Sequence, residues 1–182
     1  SERDRSVLVE FGQMARQELL EMSHRRLNGG EGRRDPVTGA LQGDSFFRSA
    51  ERLSSALGEQ HGASIITAVT IDNLSFLADT QGGKATDEVL LGICEAIKSR
   101  VEGYGMTLMG RPDGNRIVSK TIRSDPADRG FLERVRHDLV VAMSNGFETR
   151  SGRVQPRLTI AVTQRTQALA LADAVNMCRL AS

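Results

Sequence analysis

The fold is decided by Ile65-Ile-Thr-Ala-Val-Thr-Ile71, which leads directly into Asp72-Asn73. The seven-residue run is apolar and β-branched between polar flanks, which is typical of a buried strand. Asp72 and Asn73 are favourable N-cap residues, so we expect a helix to begin there with the amides of Leu74 and Ser75 directed outward. Such strand-to-helix turns bind phosphate in α/β proteins. Helix capping alone is the simpler interpretation of Asp72.

Composition describes an ordinary globular chain. Of its 182 residues, 39% are hydrophobic and 26% are charged, and the formal net charge is +1. A charge this small provides no overall field to attract nucleic acid or an anionic membrane, so neither is an expected partner. Cys94 and Cys178 form no metal motif, and the three histidines lack ligand spacing. No cofactor is therefore expected.

Neither a membrane-length apolar run nor a signal peptide is visible in the sequence. We therefore expect a cytoplasmic location, with a membrane anchor only through segments upstream of this chain. The first 28 residues carry an apolar stripe with helical spacing, made of Leu8, Phe11, Ala15, Leu19 and Met22. This helix either packs on its own domain or pairs with a partner helix.

A glycine cluster at residues 29–32 separates this helix from the rest of the chain. The predicted organisation is a signalling or dimerisation helix with a Gly-rich linker over residues 1–32, followed by one domain over residues 33–182.

Within the domain, we predict a helix from Asp44 or Ser45 to about Leu57, the central strand, and two helical segments divided at Gly82-Gly83. A hairpin of Met106–Arg111 and Ile117–Ile122 follows, with Asp113-Gly114 in a turn that requires positive φ. A helix from residue 124, a strand over 154–163 and a closing helix over 167–180 complete the chain. The order strand–helix–strand–strand–helix–strand predicts an α+β, ferredoxin-like fold, an antiparallel sheet with helices on one face.

The chain resembles the GGDEF domains, the diguanylate cyclases of bacteria, from Asp35 to about Leu180. Four stretches carry the resemblance: Asp35-Pro-Val-Thr-Gly-Ala-Leu41; Thr70-Ile-Asp72-Asn-Leu-Ser with Asp79, Gly82 and Asp87; Arg111-Pro-Asp113-Gly-Asn-Arg-Ile117; and Ala172-Asp173. It implies a GGDEF-type antiparallel central sheet flanked by helices, here with an N-terminal helical extension. It also implies descent from enzymes that condense two GTP molecules into cyclic di-GMP.

Departures from the family pattern fall on the metal site. The resemblance implies two metal-binding carboxylates, and this chain has Thr70 and Asn115 at their positions, with Arg116 at the next acidic position. Mg²⁺ favours anionic oxygen, which Thr and Asn cannot supply, and a fixed positive charge opposes a metal. We therefore expect no catalytic residues and no metal, which makes this a degenerate GGDEF domain.

The nucleotide contacts implied by the resemblance are also reduced, since Gln42, Ser75 and Ala78 replace family residues. A nucleotide-binding remnant is still expected, consisting of Asp72, Leu74, Ser75, Asp79, Asp87, Arg111 and Asp113. Simpler interpretations exist: Asp87 as a charge favourable to a helix N-terminus, Arg111 and Asp113 as a hairpin ion pair. Asp35 and Thr38 are expected to secure the opening turn by hydrogen bonds. The product-inhibition motif would fall at Tyr104–Thr107, where it is absent.

Three functions follow, and we favour the first. It is a catalytically inactive regulatory or signalling domain in a bacterial pathway related to cyclic di-GMP, not an enzyme, that acts by contact with a protein partner or with itself. The second is a GTP-binding regulatory module without turnover, in which a nucleotide shifts a conformational equilibrium. The third is an active diguanylate cyclase with a rearranged metal site.

Overall fold

The computed structural model describes residues 32–57, 63–123 and 127–165. The predicted first helix with its linker and the closing helix lie outside the described residues. The described elements, in chain order, are β1 (Leu41–Gln42), α1 (Gly43–Leu57), β2 (Ala63–Ile71), α2 (Leu74–Gln81), α3 (Gly83–Val101), β3 (Met106–Asp113), β4 (Arg116–Arg123), α4 (Arg129–Met143), β5 (Phe147–Thr149), β6 (Gly152–Val154) and β7 (Leu158–Arg165). None of these helices is long and apolar enough to cross a membrane.

Five strands form the main sheet in the order β1-β3-β4-β2-β7, while β5 and β6 form a separate hairpin. The four longer strands pair antiparallel in the ferredoxin-like order, with β2 between β4 and β7. The predicted α+β class is therefore confirmed. The predicted antiparallel central sheet is confirmed as well, and β1 adds to it a short parallel pairing along β3, from Leu41 opposite Gly110 to Gln42 opposite Arg111.

Helices cover both faces of this sheet, not one face as expected. On one face, Val69, Ile71 and Ile117 enter a core with buried residues of α3 and α4, among them Val89, Ile93, Ile97, Val135 and Leu139. On the other face, Gly110 and Lys120 contact α1 through Phe46 and Ala50. The reason lies in β4, where the first seven of eight residues are buried, so each face requires a helix.

Local backbone chemistry explains several element ends. Gly82 separates α2 from α3 with φ of +83°, as the predicted division requires. The predicted strand over 154–163 is interrupted at Pro156, so residues 152–154 pair with β5 and β7 begins at Leu158. Helix α4 begins at Arg129, after Asp128, whose Oδ1 accepts a hydrogen bond from the Phe131 amide at 2.6 Å.

The β3–β4 hairpin lies where the sequence predicts it, but with a different turn. Asp113 pairs with Arg116 across Gly114-Asn115, and neither turn residue has a positive φ. The ladder is shifted between Gly110 and Asp113, and such a bulge changes the local twist, which removes the need for a left-handed turn.

Candidate functional site

The turn after β2 is tied to the start of β7. The Arg157 amide donates to Asn73 Oδ1 at 2.8 Å, and Thr159 Oγ1 donates to Asp72 Oδ2 at 3.0 Å. Helix α2 begins at Leu74 as predicted, but Asn73 makes no side-chain cap. The predicted capping by Asp72 and Asn73 is therefore wrong, because the neighbouring strand takes both side chains. Ser75 is exposed in the first turn of α2.

Thr70, Asn115 and Arg116 meet at one end of the sheet. Thr70 is the direct cross-strand partner of Arg116. Arg116 is only 7% exposed, and its Nη1 lies 3.3 Å from Asp113 Oδ2. The Asn115 carbonyl accepts from the Ile71 amide at 2.8 Å, and Asn115 Nδ2 donates to the Ile71 carbonyl at 3.5 Å. The structure thus brings together the three positions that the sequence analysis singled out.

Other members of the predicted remnant are less concentrated. Asp79 is exposed on α2. Asp87 is half-buried on α3 and lies beyond its first turn; that first turn contains no acidic residue. The N-terminal charge role expected for Asp87 is therefore wrong. The expected Arg111–Asp113 ion pair is also wrong, since Asp113 pairs with Arg116 and Arg111 pairs elsewhere.

Arg111 joins the hairpin to the opening turn. Its Nη1 lies 2.8 Å from Oδ2 of the buried Asp35, and its Nε donates to the Gly114 carbonyl at 2.9 Å. Asp35 Oδ1 accepts hydrogen bonds at 2.8 Å from both the amide and the hydroxyl of Thr38, as predicted. Burial raises the pKa of Asp35, but the Thr38 hydrogen bonds and the Arg111 charge outweigh it and hold that pKa below its usual value.

The chemistry of this sheet end does not favour a divalent cation. Thr70 and Asn115 contribute neutral oxygen, and Arg116 adds a guanidinium beside them. Among the described residues, no group of three or more His, Cys, Asp or Glu side chains could hold a metal ion. The arrangement instead satisfies its own charges through the Arg116–Asp113 pair.

The region of the absent product-inhibition motif is occupied by packing contacts. The Tyr104 ring meets the Phe131 ring edge-on at 4.8 Å, and the Arg123 guanidinium lies 4.0 Å from the Phe131 centroid. Thr107 Oγ1 lies 2.9 Å from Thr121 Oγ1. Tyr104 therefore contacts helix α4 and Thr107 contacts the neighbouring strand, and the Arg123 guanidinium lies 5.9 Å from the Tyr104 ring centroid.

Sequence reasoning missed Lys120, a fully buried lysine in the middle of β4. Its Nζ donates to the Ala50 carbonyl at 2.9 Å and to Ser54 Oγ. Burial lowers the pKa of Lys120 to about 8; the charge of Arg165 lowers it further and that of Glu51 opposes the change. The sequence signal that could have indicated burial was a lysine inside a β-branched run. Strands exposed on one face have the same pattern, so this signal does not identify a buried lysine.

No family model and no curated protein matches the sequence. Several solved structures match the fold. The GGDEF domain of TpbB (YfiN) from Pseudomonas aeruginosa is 22% identical, with 82% of this chain and 87% of that chain covered and a TM-score of 0.65. The GGDEF domain of DgcB from Caulobacter crescentus, solved with c-di-GMP, is 15% identical, with 84% and 88% covered and a TM-score of 0.65.

The diguanylate cyclase SiaD from Pseudomonas aeruginosa, solved with its activator SiaC, is 20% identical. The match covers 99% of this chain and 65% of SiaD, with a TM-score of 0.63. All three neighbours match the fold of this chain. The chain is therefore a GGDEF-type domain by fold.

Proposed function

We propose that this chain is a catalytically inactive GGDEF-like regulatory domain that acts through protein contacts in bacterial signalling related to cyclic di-GMP. One observation carries the proposal: the guanidinium of Arg116 is buried opposite Thr70, where the resemblance implies a metal site. We further propose a cytoplasmic location for the domain.

Electrostatics supports the loss of catalysis. Two anionic ligands are replaced by neutral groups, and the nearby carboxylate, Asp113, already pairs with Arg116. Two unit charges 4 Å apart interact by about 4 kcal/mol at an effective dielectric constant of 20, so Arg116 would repel a divalent cation at this position. The Asn115 Nδ2 atom faces the Ile71 carbonyl, and Asn115 Oδ1 is a neutral oxygen, a weaker ligand for a divalent cation than a carboxylate.

The retained fold supports a role in protein contact. A GGDEF-type sheet persists without the charges that the chemistry requires, so its surface is available for a use other than catalysis. SiaD, which has this fold, was solved with a protein activator.

The deciding experiment is incubation of the purified chain with GTP and Mg²⁺ or Mn²⁺, followed by chromatography for cyclic di-GMP. SiaD serves as the positive control. We expect no product above the protein-free blank with either metal. Metal-dependent formation of cyclic di-GMP well above that blank would reject the proposal and favour the cyclase with a rearranged site.

One observation favours nucleotide binding without turnover as the second candidate. Because Asn73 Oδ1 is bound to Arg157, the first-turn amides of Leu74 and Ser75 receive no side-chain cap. Calorimetric titration with GTP tests this candidate. Saturable GTP binding that becomes weaker in Ser75→Pro would support this candidate. Proline lacks the amide donor, and the first turn of a helix tolerates proline. Binding unaffected by that substitution would count against this turn as the site.

Self-association through residues 3–27 remains part of the proposal. The apolar stripe of Leu8, Phe11, Ala15, Leu19 and Met22 could contribute several kcal/mol, at about 1.5–3 kcal/mol for each large side chain buried. Light scattering on the intact chain and on a version starting at Arg33 tests it. We expect a dimer from the intact chain alone; two monomers, with the shorter one strongly destabilised, would contradict it.

A further inference from the structure

A groove of about 570 Å³ lies between α3, the C-terminal end of α4 and β5. One wall is a single stripe of α3 with helical spacing: Glu88, Leu91, Gly92, Glu95, Ala96 and Ser99. The opposite wall consists of Ala142, Gly146, Phe147 and Glu148. Eleven residues of helical rise make the groove ~16 Å long, about three helical turns.

Small residues give the groove its depth and its apolar floor. A Cβ added at Gly92 would clash with the Phe147 ring, so glycine at this position lets the ring lie against the backbone of α3. Ala96 and Ala142 keep the space beside the ring open, and Leu91 exposes its side chain at the rim. The floor therefore offers apolar contact along its length to an inserted side chain.

The charged side chains that line the groove are acidic. They are three glutamates, and the described residues of the lining include neither lysine nor arginine. The C-terminal end of α4 adds partial negative charge from its last carbonyl groups. Glu95 is exposed on the helix surface. This pattern of an apolar floor between carboxylates is complementary to a cationic, amphipathic ligand.

Two of the glutamates already have arginine partners, but weak ones. Arg150 Nε lies 3.1 Å from Glu88 Oε1, and Arg153 Nε lies 2.6 Å from Glu148 Oε1. The arginine side chains are 86% and 62% exposed. Pairs with an exposed guanidinium contribute little, so a ligand cation can exchange with either guanidinium without a large cost. Glu88 Oε2 also accepts a hydrogen bond from the Arg150 amide at 2.7 Å, and this bond does not depend on the guanidinium.

We infer that this groove binds a cationic amphipathic helix of a partner protein. Apolar side chains on one helical stripe occupy the floor at Ala96 and Phe147, while flanking lysines or arginines meet Glu88, Glu95 and Glu148. A three-turn helix matches the groove length and the helix-in-groove mode of peptide recognition. The inference rests on the proposed function, since it supplies the contact surface through which an inactive domain would act.

The test titrates the full, isotope-labelled chain with a synthetic helical peptide of about fourteen residues, carrying leucines on one stripe and lysines on its flanks. A matched peptide has glutamates in place of the lysines. We expect amide chemical-shift changes confined to residues 88–99 and 142–148 with the lysine peptide alone. We also expect binding to weaken as the salt concentration rises from 50 to 500 mM.

Matched variants locate the binding. Glu95→Lys should weaken the lysine peptide about fivefold or more, because it converts an attraction into a repulsion. Glu133→Lys, an exposed site on α4 outside the groove, should leave affinity within about twofold. Equal loss in both variants, no saturable shifts, or shifts spread over the surface would overturn the inference.

Two further outcomes remain distinguishable. Shifts of the groove residues that grow with protein concentration without peptide would assign the groove to a second copy of this chain and overturn the inference. Cyclic di-GMP formation would reject the proposed function in a separate assay, whereas failure of the peptide titration with no cyclase activity would reject the groove alone.

Discussion

Arg116 and Lys120 are two buried cations on the same face of β4, and they are accommodated in opposite ways. Arg116 stands at the strand end, beside a carboxylate on the exposed hairpin. Lys120 stands in mid-strand beneath α1, bound to a carbonyl and a hydroxyl. A guanidinium retains its charge at any ordinary pH, so it needs an anionic partner, whereas an ammonium can release its proton. The chemistry of the side chain thus decides how each buried charge is accommodated: Arg116 is paired with a carboxylate, whereas the pKa of Lys120 is lowered.

The largest expected effect comes from reversing the charge in mid-strand. Lys120→Glu would bury a carboxylate beside the Ala50 carbonyl, a second acceptor, and the neutral Ser54 hydroxyl could not compensate its charge. We expect a loss of about 3–5 kcal/mol in the free energy of unfolding, measured by urea denaturation. Arg52→Glu, at an exposed position in the interior of α1, is the charge-reversal control and should change that free energy by less than about 0.5 kcal/mol. A loss below about 1 kcal/mol for Lys120→Glu would contradict the buried environment.

The pH dependence of stability separates the two cations. Because the pKa of Lys120 is about 8 in the folded state and 10.5 in its reference state, the unfolded chain binds more protons between these values. Stability should therefore rise by about 3 kcal/mol from pH 8 to pH 10.5, while the full cost of the buried charge is present below pH 8.

Lys120→Met removes this titration, so the variant should not gain this stability as the pH rises. The unfolding free energy of the variant minus that of the parent should therefore become smaller, or more negative, over the same pH range. Denaturation series at pH 7, 8, 9 and 10 on both proteins measure it, and titration of other groups cancels in the difference. A constant difference would show that Lys120 has an ordinary pKa in the folded state.

The smallest effect is expected at the strand end. Arg116→Met keeps an apolar stem in the same position and leaves Asp113 in water, so the unfolding free energy should change by about 1 kcal/mol or less. A loss above about 3 kcal/mol would mean that the core depends on Arg116 as strongly as on Lys120. The two buried cations would then not differ in their contribution to stability.

Local patterns in the sequence were enough to locate the central elements. A β-branched run defines β2, Gly82 divides the helix pair because it adopts a positive φ, and Asp-Gly marks the hairpin. The resemblance also located Thr70, Asn115 and Arg116 at one site. These features depend on residues near one another in sequence or on a known motif.

Features that depend on distant contacts could not be predicted. Arg111 pairs with Asp35 across 76 residues, and Asn73 bonds to the start of β7, which no local rule anticipates. Lys120 was hidden because β4 is buried on both faces, so polar and apolar residues do not alternate along it. Strands β5 and β6, at three residues each, are too short for periodicity.

The opening turn has a mechanical consequence. Gln42 N donates to the Arg33 carbonyl at 2.8 Å, β1 runs parallel to β3, and Asp35 grips Arg111 beside the hairpin. Tension applied to the backbone at Gly32 would therefore pull along β3. The Gln42–Arg33 hydrogen bond, the β1–β3 pairing and the Asp35–Arg111 ion pair would resist it together, before the tension acts on α1. A force at that point would therefore act on the hairpin and on the edge of the sheet together, since both are bonded to the opening turn.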